Sequence, residues 1–169
     1  MSSNLEKLDL VPPDKVKGFF GSYYPPPELA SHFINNKLEE IYSVKRVHII
    51  VNPFAGKKNG NKIANLISQE LQELKIDSIT YTTEYANHAE KIVSDISFET
   101  GDSLMSVGGD GTISEIITGL LKRKDSSSDS VPLSIVPSGS GNSQANDMEV
   151  ADYLDAMQRM TVGNLRKMD

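Results

Sequence analysis

The sequence has no cysteine, which excludes disulfide scaffolds, thiolate zinc sites and thiol nucleophiles. No apolar run approaches the ~20 residues needed to cross a bilayer. The opening MSSNLEKLDL lacks the apolar region of a signal peptide. Positive charge is also scarce. Against 23 Asp and Glu stand only 17 Lys and Arg, and the net charge of -6 argues against the broad basic face that a nucleic-acid partner needs. These absences make the cytosol the default address and leave room only for a local lysine cluster at a phosphate site. With 169 residues, 38% of them hydrophobic, the chain is long enough for one soluble domain with a real core and too short for two ordinary ones.

Two regions differ in texture. Residues 1–44 read as an N-terminal arm or linker: LVPPDKVKGFFGSYYPPPELA holds five of the eight prolines and has no sustained period. YYPPP has the form of a ligand for a proline-reading domain, although a plain linker explains it as well. LASHFINNKLEEIY (29–42) predicts a short helix leading into the core. From residue 45 the pattern becomes regular. RVHIIVN (46–52), SITYTT (78–83), SLMSV (103–107) and PLSIVP (132–137) predict strands. Between them Ile63, Leu66, Ile67, Leu71 and Leu74 mark a helix over 60–75. Ala89, Ile92, Val93 and Ile96 mark a second, started by the N-x-x-E of NHAE (87–90). Ile113, Ile116, Ile117, Leu120 and Leu121 form a third apolar face, and Val150, Tyr153, Leu154 and Met157 a fourth. Strand–helix alternation predicts a parallel sheet covered by helices, a three-layer, Rossmann-like α/β fold.

Three of the four strand ends carry glycine-rich loops: NPFAGKKNG, GGDGT and PSGSGN. In open parallel sheets ligands bind beyond the carboxyl ends of the strands, so neighbouring strands would gather these loops into one backbone-lined cleft. Amide groups in a glycine turn that opens into a helix make an anion site, because a Cβ would hold a phosphate oxygen out of reach. Two known fingerprints fail. Asn61 breaks G-x-x-x-x-G-K-[ST], and neither Gly109/Gly111 nor Gly139/Gly141 has the third glycine of G-x-G-x-x-G. Lys57 and Lys58, with Lys62 nearby, can supply positive charge or can be ordinary solvated loop lysines. Asp110 would repel a phosphate unless a metal ion intervenes or the acid takes a proton, and both options belong to phosphoryl transfer. Thr112 and Glu115 also fit a capping box, which alone would explain both.

Together these motifs resemble the catalytic domain of the diacylglycerol-kinase-like lipid kinases, with the N-terminal-domain fold shared with NAD kinases. GGDGT marks the superfamily; VNPFAGKK and VPSGSGN narrow it to lipid kinases. TTEYANHAEKI resembles a segment of sphingosine kinases, although Tyr85 stands where that branch has arginine. The resemblance covers roughly 44–169. It implies ATP contacts at Asn52, Pro53, Phe54, Gly56, Lys57, Thr83 and Asn87. It implies others at Gly108, Gly109, Gly111, Thr112, Glu115, Gly139, Ser140 and Gly141. Asp110 would be the base toward the lipid hydroxyl or a ligand of Mg²⁺. His88 fits a helix-turn role better than a catalytic one, and His48 reads as a plain strand residue.

The expected activity is transfer of the γ-phosphate of Mg·ATP to a sphingoid base or diacylglycerol at a membrane surface, with LKRK (121–124) as an electrostatic toehold beside the phosphorylatable DSSSDS. Family members continue into a β-rich domain that this sequence lacks. The isolated residues 1–169 are therefore expected to fold, bind nucleotide weakly and turn over lipid poorly. A NAD-kinase-like enzyme and a non-catalytic nucleotide-binding module are the alternatives.

Overall fold

A computed structural model describes residues 43–125 and 130–162. Nearly all of the proline-rich arm, with the helix expected at 29–42, lies outside the described residues, as do Ser126, Ser127 and Ser128. Strand β1 (Arg46–Val51) leads through helix α1 (Gly60–Glu73) to β2 (Asp77–Thr82). Helix α2 (His88–Asp95) leads to β3 (Asp102–Gly108), and α3 (Asp110–Leu121) leads to β4 (Leu133–Pro137). Helices α4 (Ser143–Asp147) and α5 (Tyr153–Val162) follow.

All strand pairs are parallel, in the order β2-β1-β3-β4. Parallel strands covered on both faces should be apolar throughout rather than alternating. β3 meets this rule with every residue buried, and β1 with every residue but Arg46. The edge strand β2 is largely exposed. Side-chain alternation sends Val47, Ile49 and Val51, with Met105 and Val107, to the face covered by Ala64, Ile67 and Leu71 of α1 and by Ala156, Met157 and Met160 of α5. Ile50 and Leu104 face the other way, onto Ala89, Val93, Ile116 and Leu120 of α2 and α3. Each such side chain taken from water contributes about 1.5–3 kcal/mol before the entropy of ordering is subtracted. α2 and α3 approach closely because Gly119 has no side chain; a Cβ there would stand 2.7 Å from Glu90 O.

The connections fix where a ligand can sit. From β1 the chain turns toward β2, and from β3 it turns toward β4. Adjacent β1 and β3 therefore form the switch point, the place where open parallel sheets bind their ligands.

Several details differ from expectation. The fourth helical stretch is two helices, with the buried Val150 between them. Leu121 and Leu154 are exposed and belong to no buried stripe. Neither expected capping box forms. Glu90 reaches Lys122 Nζ instead of its own helix start, and Thr112 is the third residue of α3, behind the N-cap Gly109. His48 is more than a strand residue. It is buried, with Nε2 3.1 Å from Asp102 Oδ2 and Nδ1 3.2 Å from Tyr81 Oη. Arg46 Nε and the Glu99 backbone N–H also donate to the buried Asp102 carboxylate. Burial pushes the Asp102 carboxyl up, but the donors Arg46, Glu99 N–H and His48 prevail and hold it below the usual range. This network ties β1, β2 and β3 together around the amino end of β3.

Candidate functional site

The three glycine loops meet at the carboxyl ends of β1, β3 and β4. Ser138 N donates to Gly108 O at 3.0 Å, and Asn52 N donates to Val107 O at 3.0 Å, so the strand pairing runs into the loops. Gly56, with φ 51°, lies so close to the β4 loop that a Cβ would strike Ser138 O. Gly109 and Gly139 face each other backbone to backbone: a Cβ on Gly139 would overlap Gly109 Cα and stand 3.1 Å from Gly109 N. Three of the expected glycines are therefore required by contact between loops. Gly108 is crowded by Thr112 of its own helix turn. Gly111 differs, because among the described residues nothing lies within 4 Å of where its Cβ would be. Gly141 and Ser140 are exposed on the same loop, and a Cβ on Gly141 would make only ordinary contacts, with Asp110 Oδ2 at 3.5 Å and Ser143 Oγ at 4.0 Å.

Asn52 links two of these loops. Its Oδ1 accepts the Phe54 N–H at 3.0 Å, closing an Asx turn, while Nδ2 reaches toward Oγ1 of the buried Thr112 at 3.4 Å. Pro53 occupies the turn, leaving Phe54 with 68% of its surface exposed. Lys57 and Lys58 are exposed at its tip, and Lys58 takes a left-handed φ of 59°. Thr83, buried, continues β2 by donating its N–H to Val51 O at 2.8 Å. The loop 83–87 thereby lies beside the β1 loop.

Asp110 is the first residue of α3, and its carboxylate is engaged. Oδ2 accepts the Ser143 N–H and Oδ1 the Gln144 N–H, each at 3.0 Å, so an acid of α3 caps α4. The helix it caps is a different one, which local sequence cannot reveal. The Gln144 and Ser143 N–H groups hold the carboxyl below its usual range, and Asp110 is ionised at neutral pH. Glu115, one and a half turns along α3, does the same for α2: Oε1 accepts the Asn87 N–H at 2.9 Å and Oε2 the Ala89 N–H at 3.1 Å. Both acids of GGDGTISE thus hold the amino ends of neighbouring helices.

Asn142 was not singled out from the sequence. Its Oδ1 accepts the Gly139 N–H at 2.8 Å and its Nδ2 donates to Gly139 O at 3.0 Å, locking the SGSGN loop. The available signal was an asparagine after glycine, a residue that tolerates its left-handed φ of 55°. Ser138 Oγ and Gln144 Oε1, beside this lock, are buried without a partner among the described residues. His88 serves the turn: Nδ1 accepts the Glu84 N–H, and the ring stacks on Tyr85 with centroids 4.2 Å apart. A cleft lined by Ser68, Lys75 and Asp77 opens at the opposite end of β2 and carries none of this chemistry. Among the described residues no three His, Cys, Asp or Glu cluster in a way that would hold a metal by themselves. No helix among them is long and apolar enough to cross a membrane.

The chain is similar to several lipid kinases. Sphingosine kinase B of Dictyostelium discoideum is 28% identical over 142 residues, 83% of this chain but 19% of that protein. Sphingosine kinase 1 of Arabidopsis thaliana is 35% identical over 58% of this chain and 21% of its own length. The mitochondrial acylglycerol kinase of Xenopus laevis is 30% identical over 72% and 28%. The chain thus spans less than a third of these relatives. The crystal structure of a diacylglycerol kinase from Bacillus anthracis superposes with a TM-score of 0.57 at 26% identity, covering 69% of this chain and 42% of that one. The diacylglycerol kinase catalytic domain matches residues 46–169, the greater part of the sequence, and the chain belongs to that lipid-kinase family.

Proposed function

We propose that residues 45–169 are the nucleotide-binding part of an ATP-dependent lipid kinase, with a sphingoid base or diacylglycerol as acceptor at a membrane surface on the cytoplasmic side. One observation carries this reading. At the switch point of a parallel sheet, three bare-backbone loops touch one another, and the space over Gly111 stays open beside an ionised acid. Glycine within a helix costs backbone entropy, and no described residue requires it at Gly111; a phosphate lying against the α3 amino terminus would. Phe54 and the loop 83–87 flank that ground, and Lys57 and Lys58 supply exposed positive charge.

The Asp110 cap leaves the carboxylate able to act. Its two amide bonds use about half of the roughly four acceptor sites on a carboxylate, the Ser143 hydroxyl also approaches it, and the group is only half-buried. A carboxyl held below its usual range is a weak base, so Asp110 orients the acceptor hydroxyl and takes its proton only as the new P–O bond forms. Mg²⁺ is commonly held by one or two carboxylates together with substrate phosphates, and the single ionised Asp110 fits that requirement. When bound, the ion offsets charge on the transferring phosphoryl group.

Titration calorimetry of residues 1–169 with ATP, ADP and Mg²⁺ tests the reading, followed by phosphorylation screens on sphingoid bases, diacylglycerol and NAD. Weak nucleotide binding with slow or absent lipid turnover is expected, because residues 1–169 span less than half of the lipid kinases they match. Phosphorylation of NAD alone would transfer the site to the NAD-kinase reading. The engagement of Asp110 by two amides is the observation that favours a non-catalytic module; rapid lipid turnover would rule that out.

A further inference from the structure

Asn87 begins α2 in an unusual way. An N-cap asparagine ordinarily sits in extended backbone and turns its side-chain oxygen back onto the N–H of the second or third helical residue. Here Asn87 is left-handed, φ 65° and ψ 12°, and its side chain makes no capping bond. Its carboxamide is exposed and has no hydrogen-bond partner among the described residues. The capping is done from another helix. Glu115 takes the Ala89 N–H, which an N-cap side chain would otherwise satisfy, and with its other oxygen takes the N–H of Asn87 itself.

From this we infer that Glu115 is a positioning residue whose function is to free Asn87 for ligand. Bridging residues 87 and 89, Glu115 pins the backbone of Asn87 in its left-handed state. The helix start is satisfied without the Asn87 carboxamide, which then serves as a donor–acceptor pair at the carboxyl edge of the sheet. The adjoining Thr83 is bonded to the end of β1, so the same clamp holds the 83–87 loop beside the β1 loop. This inference rests on the nucleotide reading and changes one part of it. Glu115 acts through Asn87 instead of touching the nucleotide.

The test uses residues 1–169 with Glu115→Ala, Glu115→Gln, Asn87→Ala and the Glu115→Ala/Asn87→Ala double variant. Amide hydrogen exchange at Asn87 and Ala89 reads the clamp without any ligand, and Mg·ATP titration reads its purpose. Glu115→Ala should lose protection at both amides. Each single alanine variant should weaken ATP binding about tenfold, and the double variant should be no weaker than either single one. Glutamine keeps one carbonyl acceptor for the two N–H groups and should recover part of the loss. Losses that add in the double variant, or full ATP affinity in Glu115→Ala, would overturn the inference while leaving the nucleotide reading intact. No ATP binding by the unaltered chain would overturn the nucleotide reading itself, whatever the exchange data show.

Discussion

Replacing Gly139 with alanine puts a methyl group where Gly109 Cα already stands, 2.9 Å from Asn142 Oδ1 and 3.1 Å from Gly109 N. None of these neighbours is the loose end of a long side chain, so relief must come from moving one loop off the other. Overpacking of this kind typically costs about 1–3 kcal/mol. For a domain of this size, at ~4 °C per kcal/mol, the melting temperature should fall by roughly 4–12 °C. Gly111→Ala is the matched control from the same motif. Its Cβ meets nothing within 4 Å and its φ is not left-handed, so reduced freedom of the unfolded chain should stabilise the protein by about 0.4–1 kcal/mol. Thermal unfolding followed by circular dichroism measures both, and Mg·ATP titration is then run on each. Gly111→Ala should fold at least as well as the parent yet bind nucleotide poorly, because only a ligand claims that space. Equal destabilisation by the two variants, or undiminished ATP binding by Gly111→Ala, would refute the division of these glycines into those the fold requires and one the ligand requires.

Asp110→Asn should retain nucleotide binding and lose whatever lipid phosphorylation the parent shows; retained phosphorylation excludes Asp110 from the proton transfer. Asp102→Ala leaves Arg46, His48 and the Glu99 N–H without their shared acceptor and should cost about 3 kcal/mol, read by urea unfolding. The carboxyl of Asp102 is held below the ordinary 3.8, so its contribution to stability is complete above that value and disappears as the pH falls through the lower folded value. Acid unfolding of the parent should accordingly be steepest below pH 3.8, and Asp102→Asn should flatten it. Gly119→Ala should push α2 from α3 against Glu90 O and Val93, lowering stability by about 1–3 kcal/mol, read by thermal unfolding.

The sequence by itself determined the strands, most of the helices and the edge of the sheet at which the glycine loops gather. β-branched runs, apolar periods and glycine loops are local signals, and helical crossovers between parallel strands leave few topologies. It also carried the family, since three loop motifs in order are specific where one is not. Only the tertiary structure decided what the polar residues of those motifs do. Thr112 with Glu115 and Asn87 with Glu90 looked like capping boxes because such boxes are read within one helix. The acids of α3 cap α2 and α4 instead, and sequence spacing cannot show a bond that spans more than twenty residues. The glycines looked alike for the same reason. A glycine's purpose is the atom that would meet its missing Cβ, and that atom comes from another part of the chain.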